Sequence, residues 1–185
     1  MHGLLLEQLP VPGVPAEVRI DVGEQRSLVV ADAAQARRLA DLVSGIEQTP
    51  PGVTVKAAGA VRLVPAEGGL LPHLTVLGNI IHGHTVTHRV TRRAAADESR
   101  VTASRCGLED VLHRYPHEIT SGRRRLAGVA RALRAHPAVI VLEDAAGLPT
   151  WDSLLRFDRN PELWSAALLL ISTDPSRTSG FRHVQ

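Results

Sequence analysis

Tyr115-Pro116-His117-Glu118-Ile119-Thr120-Ser121-Gly122-Arg123-Arg124-Arg125, running on through Val129-Ala130-Arg131-Ala132-Leu133 to Val139-Ile140-Val141-Leu142-Glu143-Asp144, decides how the rest of this sequence is read. Tyr115-Pro116 breaks the pattern before it. A helix is expected to begin near Ser121, with Leu126, Val129, Ala130 and Leu133 on one face. Pro137 stops that helix, and the four apolar residues Val139 to Leu142 read as a buried strand ending in two carboxylates.

Leu168 to Ile171 and Ser27 to Val30 have the same buried-strand character. Asp32 stands where it can cap a helix, in which Leu39, Leu42, Val43 and Ile46 form one apolar stripe, with Thr49-Pro50-Pro51-Gly52 ending it. Leu4 to Gln8 and Glu17 to Asp21 read as short strands around a Pro/Gly-rich turn. Val53 to Leu63 reads as two more strands around Ala57-Ala58-Gly59. The stretch from Leu74 to Glu118 is mostly helical in pattern. Apolar strands alternating with helices argue for an α/β fold with a largely parallel sheet.

Composition sets outer limits. The chain has 185 residues, 44% hydrophobic and 22% charged, with net charge +2, values ordinary for one globular domain. Nothing in that charge demands a nucleic-acid partner. Of the 21 basic residues only Lys56 is a lysine. Cys106 is the only cysteine, so no disulfide can form within the chain. No apolar stretch reaches the length of a membrane span, so no direct membrane insertion is expected.

The opening stretch resembles the signature region of ABC-transporter ATP-binding subunits, which typically reads YPHELSGGQ followed by a helix ending in ARAL. Val139 to Asp144 resembles the family's Walker B strand. Glu67-Gly68-Gly69-Leu70-Leu71-Pro72-His73-Leu74-Thr75-Val76-Leu77-Gly78-Asn79-Ile80 resembles the segment after the Q-loop glutamine. Gly23-Glu24, the strand SLVV and Ser44-Gly45-Ile46-Glu47 match the frame of the P-loop, and Ile171-Ser172-Thr173-Asp174 resembles the H-loop. These five matches fall in family order over about residues 20 to 175. The resemblance implies a P-loop NTPase-like core sheet with an inserted helical subdomain. The core is expected at about 1–67 and 123–185, and the helical subdomain at about 68–122. The chain is expected to be truncated at its C-terminal edge, with eleven residues after Asp174.

At each nucleotide-handling position the residue departs from the family's. In the P-loop frame Val30, Ala33 and Gln35 stand at glycine positions, Ala36 at the lysine and Arg37 at the Mg²⁺-binding serine. A phosphate cradle needs bare backbone N–H groups and a lysine, and neither survives. Arg37 and Arg38 read as solvated arginines at a helix start, with unconventional phosphate binding as the other reading. Ala66 stands at the Q-loop glutamine and Thr173 at the H-loop histidine. At Walker B the Asp-Glu order becomes Glu143-Asp144, read as a structural or capping pair that could still ligate a cation. No aromatic residue precedes Tyr115, so none is available in the N-terminal strands to stack on adenine.

The signature loop holds Thr120, Ser121, Gly122, Arg123, Arg124 and Arg125. Three cations in a first helical turn oppose the macrodipole by about 0.3–1 kcal/mol each when exposed. Two readings stay open: the arginines meet a phosphate or acidic surface on a partner, or they form a solvated cluster. His82, His84 and His88 raise a metal site, but with no nearby cysteine no metal is expected. Trp151, Phe157 and Trp164 read as packing residues.

The resulting expectation is a catalytically inactive ABC-ATPase-like subunit or scaffold acting through protein partners. Those would be an intact ABC ATPase, a membrane permease or another assembly component, with a dimer possible. No cofactor is expected, and the location would be cytoplasmic, membrane-associated only through a partner. One alternative is a divergent ATP-binding protein with residual ATP and Mg²⁺ binding or weak hydrolysis. Another is a nucleic-acid-binding regulator using Arg92, Arg93, Arg100, Arg105 and Arg123 to Arg125, against which the near-neutral charge and sparse aromatics speak.

Overall fold

The computed structural model describes residues 2–85, 92–155 and 164–184. Eight strands and five helices follow in the order β1 (His2–Glu7), β2 (Glu17–Asp21), β3 (Gln25–Val29), α1 (Ala33–Ser44), β4 (Thr54–Ala57), β5 (Val61–Val64), α2 (Val76–Thr85), α3 (Arg92–Arg105), α4 (Ser121–Leu133), β6 (Val139–Glu143), α5 (Trp151–Leu154), β7 (Ala167–Ser172) and β8 (Arg182–His183). Five strands form a parallel sheet in the order β5-β6-β7-β3-β8. The others make an antiparallel sheet, β2-β1-β4.

The strands β6 and β7 are buried along their whole length because both faces of the sheet are covered. Side chains alternate between the faces. Val139, Val141, Ala167, Leu169 and Ile171 pack with α1 and the antiparallel sheet. Ile140, Leu142, Leu168 and Leu170 pack with α4, the helices before it and Trp151. Val76 and Ile80 of α2 and Ala103 of α3 belong to that second cluster. Helices α2 and α3 therefore pack into the same core as α4 and the sheet.

Most expected elements stand where the pattern puts them, with one correction. Helix α1 starts as expected, with Asp32 accepting from the Gln35 N–H at 2.8 Å. It ends at Ser44, not at Thr49-Pro50. Gly45 adopts φ 77° and turns the chain out of the helix, which a residue with a Cβ resists. Ile46 consequently leaves the apolar stripe and is 66% exposed, whereas Leu39, Leu42 and Val43 are buried.

The segment linking β5 to α2 is fastened by one side chain. Asn79 is fully buried; its Oδ1 accepts from the Leu71 N–H at 2.7 Å, and its Nδ2 lies 3.1 Å from the carbonyls of Leu71, Leu74 and Thr75. That satisfies the polar groups of a non-helical stretch crossing the domain.

Candidate functional site

In an open parallel sheet, function concentrates beyond the C-terminal ends of the strands, where the loops to the next elements begin. Here those ends deliver Ala66 after β5, Glu143-Asp144 at the end of β6, Thr173 after β7, and the turn Val30-Ala31-Asp32 between β3 and α1. The structure thus brings the sequence-derived positions to one edge of one sheet.

The turn after β3 is only three residues long, because α1 is already helical at Ala33. Residues 33 to 36 are wound into the first helical turn, with the Ala36 N–H bonded to the Asp32 carbonyl. The Asp32 carboxylate occupies the Gln35 N–H, and the Gln35 amide oxygen faces the Ala31 N–H at 3.4 Å. Ala36 is buried against the sheet, 8% exposed. Lys56, in β4, belongs to the antiparallel sheet.

Arg37 leaves α1 toward the sheet and links two carboxylates. Its Nε donates to Asp41 at 3.0 Å, and its Nη1 lies 3.3 and 3.2 Å from the two Glu143 carboxylate oxygens. The Glu143 side chain is only 10% exposed, while Arg37 is 54% exposed. Burial therefore wins over the screened ion pair and raises the Glu143 pKa, although Arg37 and a hydrogen bond from the Ala66 backbone oppose it. Arg37, Ala66 and Glu143 are thus brought into contact. Thr173 lies exposed in the turn beyond.

Asp144 has a different set of neighbours. Arg177 grips it bidentately at 2.6 and 2.8 Å, Ser172 Oγ donates at 3.0 Å, and Arg125 Nη2 sits at 3.4 Å. Both the Asp144 side chain, 2% exposed, and the Arg125 side chain, 0% exposed, are buried. Burial alone would raise the Asp144 pKa. The hydrogen bonds from Arg177 and Ser172, with the two guanidinium charges, reverse that and hold it below its ordinary value. Burial lowers the Arg125 pKa, against the pull of Asp144. Trp151 lies under the Arg125 guanidinium, 4.0 Å from its ring centroid, and donates its Nε1–H to the Glu143 carbonyl at 2.8 Å.

Each arginine of the triplet pairs within the chain, the first two part-exposed and the third buried. Helix α4 is capped by Thr120, which accepts from the Arg123 N–H. Arg123 pairs with Asp110 at 2.8 and 3.2 Å and also reaches the Gly107 carbonyl. Arg124 bonds Glu67 at 3.1 Å and the Ile119 carbonyl at 2.9 Å. Arg125 is in the core. Each cation has found a carboxylate within the chain, which offsets the unfavourable end of the helix dipole. Ser121 is half-buried, and Gly122 is buried against Leu154, whose Cδ2 a Cβ would meet at 3.3 Å.

Arg177, Ser172 and Trp151 are site residues that the sequence alone did not reveal as such. Arg100, expected in a basic cluster, pairs with Asp97 at 3.1 Å. His88 and Phe157 lie outside the described residues, as does the side chain of His84. Among the described residues no group of three or more His, Cys, Asp or Glu could hold a metal ion.

The fold, with α1 following β3 and α4 leading into β6, matches known structures. CbiO1 of Clostridium perfringens, part of the ABC transporter complex CbiONQ, superposes with a TM-score of 0.74 at 16% identity, covering 94% of this chain and 79% of that one. The chain has the fold of an ABC-transporter ATP-binding domain. Among curated relatives it is 24% identical over 183 residues to the bacitracin export ATP-binding protein BceA of Halalkalibacterium halodurans, covering 88% of this chain and 72% of BceA. It is 34% identical over 106 residues to the glycine betaine/proline betaine transport system ATP-binding protein ProV of Salmonella typhimurium, covering 56% of this chain but 25% of ProV. No protein-family model matches the chain. The signature-like stretch thus leads into α4 of an ABC-ATPase fold, and the Walker B-like pair stands at the end of β6.

Proposed function

We propose that this chain is a non-catalytic ABC-ATPase-like subunit that works through protein partners. One observation carries the reading: the guanidinium of Arg37 lies on the Glu143 carboxylate, where the ABC resemblance would put Mg²⁺. The residues present do not fit Mg-ATP. A cation from the chain itself already neutralises Glu143. A carboxylate, Asp32, accepts an N–H at the helix start where phosphate would need a donor. Ala36 offers no lysine and Thr173 no imidazole. Two cations on one carboxylate, or two anions at one helix start, repel at short range.

The partner side rests on the relatives. BceA is named as an export ATP-binding protein and ProV as part of a transport system. A chain of this fold would by analogy join such an assembly beside an intact ATPase or a permease. No described helix is long and apolar enough to cross a membrane, so contact with one would come through the partner.

Calorimetric titration with Mg-ATP tests the catalytic half. No binding heat is expected, and no upward shift of the melting temperature in the nucleotide's presence. A ligand at one hundred times its Kd would add about 2.7 kcal/mol of stability, which is readily seen. The second reading, a divergent ATP-binding protein, is favoured by the two carboxylates kept at the end of β6. Micromolar Mg-ATP binding that disappears in Glu143→Ala would establish it and overturn the first.

A further inference from the structure

The loop after β6 is held by more than its own hydrogen bonds. Arg125 Nη1 donates to the Pro149 carbonyl at 2.5 Å, and Arg177 Nη2 donates to the Leu148 carbonyl at 2.9 Å. These are the same two guanidiniums that flank Asp144. Arg125 comes from the N-terminal part of α4, Asp144 from the end of β6 and Arg177 from the 3₁₀ turn after β7 (Pro175–Arg177). Three elements far apart in sequence therefore meet on one buried carboxylate.

We propose that Arg125, Asp144 and Arg177 form an intramolecular latch that fixes α4 and the loop 145–150 to the ends of β6 and β7. The guanidiniums serve as Asp144's resident counter-ions. The latch is independent of whether a nucleotide binds elsewhere in the domain. It ties the signature-like helix α4 to the carboxylate of its own subunit, so Arg125 is not available to an outside anion. Freeing Asp144 requires both guanidiniums to leave, which strands a buried arginine whose Nε already has no hydrogen-bond partner. Breaking a buried pair by removing one partner is costly for that reason. The arrangement therefore behaves as a cooperative lock more than as a set of separate contacts.

A double-mutant cycle on the full chain, Asp144→Asn with Arg177→Ala, read by urea unfolding, measures the coupling. If the latch acts as a unit, the double variant is less destabilised than the product of the singles, by at least about fivefold in the unfolding equilibrium constant. Coupling below that value overturns the latch. If Asp144→Asn does not fold, hydrogen exchange on Arg177→Ala decides. The Leu155 amide, bonded to the Trp151 carbonyl at 2.8 Å where the loop ends, should exchange about tenfold faster or more, while those of β6 and β7 keep their protection. Unchanged exchange at Leu155 refutes the proposal.

Discussion

Glu143 and Asp144 are adjacent carboxylates whose protons are held in opposite senses. Burial raises the Glu143 pKa and outweighs the pull of Arg37, which is half in water. Asp144 is as deeply placed but gains two guanidiniums and a hydroxyl, which together lower its pKa. The signs for stability follow. A carboxyl whose folded pKa is depressed stabilises the protein above its ordinary value of 3.8 and loses that contribution as pH falls through the lower folded value. One whose folded pKa is raised works against folding above the folded value, and protonation relieves it. On acidification below pH 4 the melting temperature should therefore fall, and Asp144→Asn should flatten that limb. Thermal melts from pH 7 to pH 2 check this; an equally steep acid limb in Asp144→Asn would refute the assignment. The residue identities at these positions were legible in the sequence through the order of the motifs. Which cation sits on which carboxylate was not, because Arg37 and Glu143 are 106 positions apart and Arg177 and Asp144 are 33 apart.

At the scale of elements, α4 is the piece on which the domain turns. Its buried face carries Gly122, Ala127, Gly128, Ala130 and Ala132, so neighbouring backbone can approach closely. The loop after β5 does so. A Cβ at Gly128 would collide with the Gly68 carbonyl oxygen and lie 2.9 Å from Gly68 Cα. Gly68, at φ +86°, is itself pressed against the Arg124 carbonyl, and Arg131 donates to the Gly69 carbonyl at 2.7 Å. Neither backbone has room to retreat. Gly128→Ala should cost about 1–3 kcal/mol, the ordinary penalty of overpacking. Gly122→Ala should cost visibly less, since its nearest neighbour is the movable end of Leu154. Urea midpoints of the two variants rank them, and equal midpoints would contradict the packing described. The sequence pattern placed α4 correctly but gave no reason for its glycines, because a close approach is a property of two segments.

For the whole molecule the central sheet separates two hydrophobic clusters. Cys106 reports on one of them. It is 6% exposed, packed with α2, α4 and β6, and burial pushes its thiol up to about 12. Thiolate is the reactive form, so the folded protein withholds both access and charge. Modification by an aromatic disulfide at pH 8 should proceed no faster than global unfolding, and denaturant should accelerate it in step with loss of helical signal. Rapid labelling of the native protein would show that the α2–α3 side opens on its own.

The apolar runs in β3, β6 and β7, the helical stripes and the five ordered motifs were determined by the sequence alone. Burial on two faces of a parallel sheet writes itself as continuous hydrophobicity, and helix periodicity repeats every few residues. The residues standing at the positions the resemblance marks, Ala36, Ala66 and Thr173, were likewise readable letter by letter. Only the tertiary structure decided what the charges do. The pattern left Arg123, Arg124 and Arg125 as one cluster of like charge. The fold distributes them among Asp110, Glu67 and Asp144, and sends the third into the core. The physical reason is range: apolar periodicity is local and can be read along the chain. An ion pair is chosen by distance and burial in space, and these partners meet only when the ends of β6 and β7 and the turn that follows come together beside α4.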